Sequence, residues 1–295
     1  MKNPFNSKAY NPQDDALLIK SCLAGSKDAL NKLIEGHQSY IFNVALKYFN
    51  HIADAEDATQ EVLIKVIANL GTFDSAKAQF RTWLYRITVN HFLNTKKGPL
   101  ELRYESGFEN FFQLIESLPV VQLQVEEELQ LKWEIEESKV ACMAGMIMCL
   151  DREQRLRYIL GDVFEIDHNL GAEIFNISAD NFRQRLSRSR KDLYAWMHNK
   201  CGLVNKDNPC RCPGKTKGFI ERGYVNPKNL KWHSDFSNRI FELSERTVDN
   251  LLNERDKIYS DLFRQHPFKA TRITTDKILN QILDNDNFSR AFDLK

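Results

Sequence analysis

Three groups of side chains in this 295-residue chain could do chemistry. The first is a sulfur set, His198, Cys201, Cys210 and Cys212, spaced H-x2-C-x8-C-x-C. Three thiolates and an imidazole suit a tetrahedral zinc ion, and four protein ligands would make it structural. Two readings stay open: a zinc knuckle that stiffens a basic, Gly- and Pro-containing loop, or reduced cysteines in that loop. His233 is an alternative fourth ligand. The second group is rich in carboxylates: Asp54, Glu56, Asp57, Gln60 and Glu61. Such a face repels nucleic acid and suits the basic surface of a protein partner. The third is cationic and aromatic. No acidic residue stands between Arg81 and Lys97, whereas Arg81, Arg86, Lys96 and Lys97 are basic and Trp83, Tyr85, Asn90 and His91 lie among them. That mixture suits phosphates and unstacked bases. No Gly-rich phosphate loop, nucleophile elbow or H-E-x-x-H motif occurs, so no enzymatic activity is expected. A zinc enzyme at Cys201–Cys212 would need an open coordination position and a nearby base, and the sequence offers no convincing one.

These groups need helices to position them. Ala55, Ala58, Val62, Val66 and Leu70 recur near helical spacing, which predicts a helix over Asp54–Leu70 with the carboxylates on its other side. Asp54 and Glu56 suit the positive end of its dipole, and Gly71 stands at the expected C-cap. A loop, Thr72–Gln79, leads to a second helix, Phe80–Asn94, with Phe80, Trp83, Leu84 and Ile87 as its apolar side. Upstream, a helix from Asp14 ends at Gly25, and Ser26 or Lys27 opens another over Ala29–Phe49. Cys22 reads as a small core residue. Residues 14–97 are therefore expected to form one all-helical domain behind a flexible 1–13.

Gly98-Pro99 breaks the chain. Residues 98–131 read as an acidic, solvated linker that turns helical from about Val125; across 100–140 ten acidic side chains face three basic ones. Residues 132–197 return to helices, with Cys142 and Cys149 read as core cysteines. Within Ala172–Met197 a helix ends near Phe175, Asn176 can take the left-handed turn, and Ser178 can cap a helix from Ala179. One side of that helix carries Asn181, Arg183, Gln184, Arg185, Ser187, Arg188 and Lys191. This is a helix-turn-helix whose second helix could enter the major groove. Residues 198–233 form the basic Cys-containing loop. Residues 234–295 form a helical extension, with helices over Asp235–His266 and Thr275–Leu283.

The net charge is only +1, so any affinity for nucleic acid must come from local stripes. The first fifteen residues lack the apolar core of a signal peptide, and no apolar run is long enough to span a bilayer. A cytoplasmic protein without membrane insertion is expected, with its six cysteines reduced or metal-bound rather than in disulfides.

The pattern D-A-E-D-A-x-Q-E-V-x-x-K at Asp54–Lys65, followed by F-R-T-W-L-Y-R-I-x-x-N at Phe80–Asn90, resembles the second conserved region of bacterial RNA polymerase sigma factors, in the small extracytoplasmic-function group. Leu150–Trp196 is similar, more weakly, to their fourth region. The resemblance implies an all-α chain: a region 2-like bundle and a region 4-like helix-turn-helix joined by an acidic linker, here with a Cys-containing loop and a C-terminal extension that the group usually lacks. It implies that Asp54, Glu56, Asp57, Gln60 and Glu61 bind core RNA polymerase. Phe73, Asp74, Lys77, Arg81, Arg86, Asn90, His91, Asn94, Lys96 and Lys97 would lie near the melted minus-ten element. Ser178, Asn181, Arg183, Gln184, Arg185 and Arg188 would lie near the duplex minus-thirty-five element. In the family the linker threads the transcript exit path, and an anti-sigma protein is a further partner. Three departures stand out. Asn94 replaces a frequent Asp, implying a different promoter preference. Gly171 replaces a bulky aliphatic and Asp151 a common Pro, implying a loosely packed first helix in the helix-turn-helix. The rival reading is a free-standing helix-turn-helix regulator that binds duplex DNA as a dimer, for which the acidic face has no use.

Overall fold

Helix α1 (Pro12–Leu23) begins where Asn11 accepts the Gln13 N–H and proline, which has no N–H to lose, takes the first position. Ser26 caps α2 (Lys27–Phe49), and Asn50 ends it in the left-handed conformation. Helix α3 (Ile52–Ala68) follows, then a 3-10 turn at Leu70–Thr72 and α4 (Phe80–Asn94). These come from a computed structural model that describes residues 11–231, 255–264 and 278. Residues 1–10 of the expected flexible 1–13, His233 and most of the helices expected over 234–295 lie outside the described residues, whereas Asn11, Pro12 and Gln13 are the cap and start of α1.

The chain divides into two compact units. One is built from Met1–Lys96, Glu165–Phe182 and Phe268–Lys295, the other from Lys97–Phe164 and Arg183–Pro267. The first unit has an aliphatic and aromatic core in which α2 packs along α3 and α1. Ile41, Phe42, Ala45, Val62, Leu63 and Phe92 are buried, and Tyr48 stacks on Phe92 at 5.6 Å between ring centroids. The buried His37–Asp15 pair, 3.1 Å apart, ties α2 to α1. Helix α3 stops two residues earlier than its apolar period suggests. Asn69 occupies the C-cap and its side-chain amide donates to the Lys65 carbonyl at 2.7 Å, so the cap expected of Gly71 is made by asparagine, and Gly71 lies in the 3-10 turn.

Helices α5 (Pro99–Tyr104), α6 (Gly107–Ser117) and α7 (Val125–Gln130) occupy the stretch read as a solvated linker. Its start of helix at Val125 holds, but the segment before it is packed structure. Phe111, Phe112, Ile115 and Leu118 are buried, with helical spacing that the surrounding glutamates masked. Phe108 and Phe112 stack nearly parallel on Trp196. The acidic groups find lysines from further along the chain: Lys200 lies 2.7 Å from Glu116 and Lys217 3.0 Å from Glu127. Lys215 donates to the Glu116 and Leu118 carbonyls.

Helix α8 (Lys132–Met148) and α9 (Arg152–Tyr158), opened by an Asp151/Gln154 capping box, complete this half of the second unit together with a π-helical turn, Ile159–Val163. Helix α10 (His168–Phe175) returns to the first unit and packs on α4. Asn176 at φ 53°, ψ 49° makes the turn, and the Ser178 hydroxyl accepts the Asn181 N–H at 3.2 Å to open α11 (Ala179–Lys200). Gly171 does not loosen α10. A Cβ there would stand 2.4 Å from Cζ of Phe182, so the glycine is what admits that fully buried ring. Helices α12 (Cys212–Glu221) and α13 (Arg255–Arg264) belong to the second unit. Among the described residues there is no strand, only an isolated bridge between Cys201 and Cys210. No helix among them is long and apolar enough to cross a membrane.

Candidate nucleic-acid interface

The acidic side of α3 survives folding in part. Asp57 and Glu61 are exposed, whereas Asp54 and Glu56 are half-buried. Asp54 also lies 3.0 Å from the His51 ring that opens the helix. Gln60 departs from its expected place on the outer face: only 7% of it is exposed. The buried face of α3 is wider than the apolar period alone suggests, since Thr59, Leu63 and Ile67 join Ala55, Ala58, Val62 and Val66, and Gln60 falls within it. The outward carboxylates are therefore chiefly Asp57 and Glu61.

The loop before α4 is braced from within. Asp74 accepts the Ala76 N–H at 2.9 Å and pairs with Lys77 at 3.2 Å, and these contacts hold its carboxyl below the ordinary range. Phe73 is half-exposed, in ring contact with Phe80 and Trp83 at 5.5 Å each. Half-exposed aromatics at the end of a loop are what base stacking requires. Along α4, Arg81 and Arg86 are half-buried and Asn90 and Asn94 exposed, with the Asn94 amide turned back to the Asn90 carbonyl. Lys96 is exposed, and Lys97, the first residue of the second unit, pairs with Glu105.

His91 is not a surface group. It is 7% exposed, and its Nδ1 accepts from Lys65 Nζ at 2.6 Å. Its Nε2 lies 3.3 Å from a Glu61 oxygen, near enough for an ion pair but without hydrogen-bond alignment. Burial and the Lys65 charge push the imidazole pKa down, against the opposing pull of Glu61, so the ring is held neutral. His91 thus links the acidic helix to the basic one. Lys65, its partner, was visible in the sequence only as one more outward charge.

Two residues of the candidate base-reading side are engaged by α10. Arg86 Nε donates to the Glu173 carbonyl at 2.6 Å, and the Thr82 hydroxyl donates to the Glu173 carboxylate at 3.2 Å. Glu173 carried no signal in the sequence, because its partners lie 87 and 91 residues away.

On α11, Arg183, Gln184 and Arg188 are exposed, and Asn181 and Arg185 half-buried. Arg185 stands 3.4 Å from Glu153. Ser178 is spent on capping. Arg190, on the same helix, turns inward instead: its guanidinium chelates the wholly buried Asp162, which also accepts from the Tyr194 hydroxyl at 3.0 Å.

Of the sulfur set, Cys201 and Cys210 stand opposite each other in the isolated bridge, and Cys212 is the first residue of α12. The His198 carbonyl accepts from Asn205 and Asn208. Among the described residues no three or more His, Cys, Asp or Glu side chains stand ready-arranged around a metal ion.

The bundle turns carboxylates outward on α3 and carries cations with half-exposed aromatics on α4 and the loop before it. Residues 33–98 match the Sigma-70 region 2 family. The chain is 26% identical over 187 residues to the ECF RNA polymerase sigma factor SigW of Bacillus subtilis, covering 59% of this chain and 92% of that one. It is 25% identical over 185 residues to the RNA polymerase sigma-H factor of Pseudomonas aeruginosa, covering 61% and 92%. A shorter match, 34% over 76 residues, is to the ECF RNA polymerase sigma-E factor of Haemophilus influenzae, covering 26% and 39%. These matches support a sigma factor of the extracytoplasmic-function type, with its second conserved region at residues 33–98.

Proposed function

We propose that this sigma factor docks on core RNA polymerase through the outward carboxylates of α3, above all Asp57 and Glu61, and opens promoter DNA with the loop and helix that follow. The observation that carries this reading is the division of charge between neighbouring helices. Asp57 and Glu61 stay in solvent while the other side of α3 is core, and α4 brings its arginines and asparagines to the adjoining surface. An exposed carboxylate face beside a nucleic-acid-binding surface would weaken DNA binding unless a basic protein surface covered it. Phe73 and Trp83 supply stacking surfaces for flipped bases, and Arg81, Lys77 and Lys96 supply phosphate contacts. Helix α11 acts as the recognition helix of a helix-turn-helix, with Arg183, Gln184 and Arg188 toward the duplex. Because Thr82 and Arg86 are held by Glu173, single-stranded DNA reaches that part of α4 only after α10 leaves it. The protein contributes binding energy and DNA distortion and no covalent chemistry of its own. An anti-sigma protein is the regulatory partner such a factor would have.

In vitro transcription tests the reading. Core polymerase with the full-length protein should give defined transcripts from a promoter library that core alone does not. Tight binding to a palindromic duplex without polymerase, together with no transcript, would favour the free-standing regulator.

A further inference from the structure

Helix α13 lies beyond the helix-turn-helix in the chain, yet its side chains enter the buried network that holds α11. It packs on the π-helical turn Ile159–Val163, and its Tyr259, Leu262 and Phe263 are buried. Tyr259 stacks on Tyr194 of α11 at 4.5 Å between ring centroids, and Phe263 meets Tyr158 edge-on at 5.5 Å. The polar contacts converge on Asp162. Its carboxylate accepts from Arg190 Nε at 2.9 Å and from the Tyr194 hydroxyl at 3.0 Å, both on α11. Its backbone carbonyl accepts from Arg264 Nε of α13 at 2.7 Å. Ser260 Oγ, also on α13, lies 2.7 Å from the Tyr194 hydroxyl oxygen. We propose that α13 is a positioning element for promoter reading: Ser260 and Arg264, acting through Tyr194 and Asp162, fix the rotation of α11 about its axis and so aim Gln184 and Arg188 at the duplex. The proposal rests on the reading of α11 as the recognition helix.

The hydrogen bonds run in one direction. Burial first, and the Asp162 charge next, push the Tyr194 phenol pKa up, so the hydroxyl keeps its proton. That single proton goes to Asp162, which leaves the Tyr194 oxygen to accept from Ser260. A donor chain that ends on a buried carboxylate is stronger than its links taken singly. Helical geometry converts this anchor into aim. Successive residues turn about 100° around the axis, so Arg190 points about 200° away from Arg188. Drawing Arg190 inward therefore turns Arg188 outward, with Gln184 one turn before it, and both are exposed. The π-helical turn approaches α11 closely enough to fix the spacing as well, since a Cβ on Gly161 would stand 2.6 Å from Leu186 Cδ2. A binding constellation tolerates only about 10–20° of misorientation, so a loosened anchor would be felt at the DNA before it was felt in the fold.

The test uses the full-length protein assembled with core polymerase. Its probe is a duplex carrying a promoter recovered from the transcription library. Three quantities are read on each sample: the affinity for core polymerase, the affinity for the promoter duplex, and the preference for that duplex over one with its upstream element scrambled. Ser260→Ala/Arg264→Met should lower promoter affinity about tenfold and shrink the preference by a similar factor, with core affinity and circular dichroism unchanged. Arg264→Lys keeps a donor for the Asp162 carbonyl and should stay within about twofold of the wild type. A helix that merely covered the core would shift the unfolding midpoint and leave the preference intact. In case the double variant fails to fold, Ser260→Ala alone, which removes one hydroxyl, should still lower promoter affinity about threefold. Arg188→Ala is measured in parallel. If it loses promoter affinity while the folded Ser260 and Arg264 variants keep wild-type affinity and preference, the positioning role is overturned and the recognition helix stands. If Arg188→Ala binds as the wild type does, α11 does not read the duplex, and this inference falls together with the reading beneath it.

Discussion

The two units differ in where they put their charges. In the first, the charges most relevant to partners stay at the surface, with Asp57 and Glu61 on one helix and Lys77 and Lys96 beside the next, over a core of aliphatic and aromatic side chains. In the second, charges are drawn inside. Asp162 is wholly buried against Arg190, Glu101 lies buried between Arg152 and Arg155, and Glu136 is buried against Lys139. An exposed charge contributes little to stability and is available to a partner. A buried one is committed to its counter-ion, and losing that counter-ion leaves a desolvated charge behind. The first unit thus presents charge while burying the His37–Asp15 pair and Lys47, and the second leans on three such buried carboxylates.

The contrast would break most visibly at Asp162. Asp162→Ala strands the Arg190 guanidinium, while the Tyr194 hydroxyl keeps Ser260, and should cost about 3 kcal/mol in a thermal or urea unfolding series. Asp57→Ala should change stability by less than about 0.5 kcal/mol. Equal costs would erase the distinction. Next comes Glu101. Burial draws its carboxyl upward, but the Arg152 and Arg155 guanidiniums outweigh this and hold it below the ordinary range. A depressed carboxylate stabilises the fold above its unfolded pKa and loses that contribution as pH falls through the folded one. The second unit should therefore weaken on acidification below the ordinary glutamate range. Glu101→Gln should cost about 2 kcal/mol near neutral pH and flatten the acid limb of the stability profile.

The first unit should respond to pH with the same sign but in a higher window. Burial pushes Lys47 down to about 7. Above that value the unfolded chain binds a proton that the folded one has released, so stability should rise from pH 7 toward the ordinary lysine range. Unfolding midpoints measured at pH 7 and pH 9 should show the rise, and Lys47→Met should abolish it. The smallest effects belong to α11. Arg183→Ala and Arg188→Ala should each weaken promoter binding by about 1 kcal/mol and, if they contact phosphate, lower the salt slope by about one. Loss confined to one base position would mark a base contact instead.

Much of the first unit was legible, because its signals are local. The Ser26 cap, the core period of α2, the left-handed Asn176 and the Ser178 cap all act within a few residues. The exceptions involve residues that are polar by type but inward by position. Gln60 and His91 read as contact residues because nothing nearby shows that Lys65, 26 residues away, will hold the imidazole. The second unit was less legible for the same reason on a larger scale. The stripe of Phe108, Phe111, Phe112 and Ile115 had helical spacing, but its glutamates read as solvated until the lysines of 200–217 were seen to meet them. Gly171 read as a defect until Phe182 filled it.

The central claim is that the acidic side of α3 is the polymerase-binding surface. The direct measurement is the equilibrium affinity for core RNA polymerase of the wild type and of the double charge reversal Asp57→Lys/Glu61→Lys, with circular dichroism and the unfolding midpoint recorded on the same samples. The account predicts an unchanged fold with assembly lost, and loss of transcription with it. Unchanged affinity in a folded double variant would contradict it.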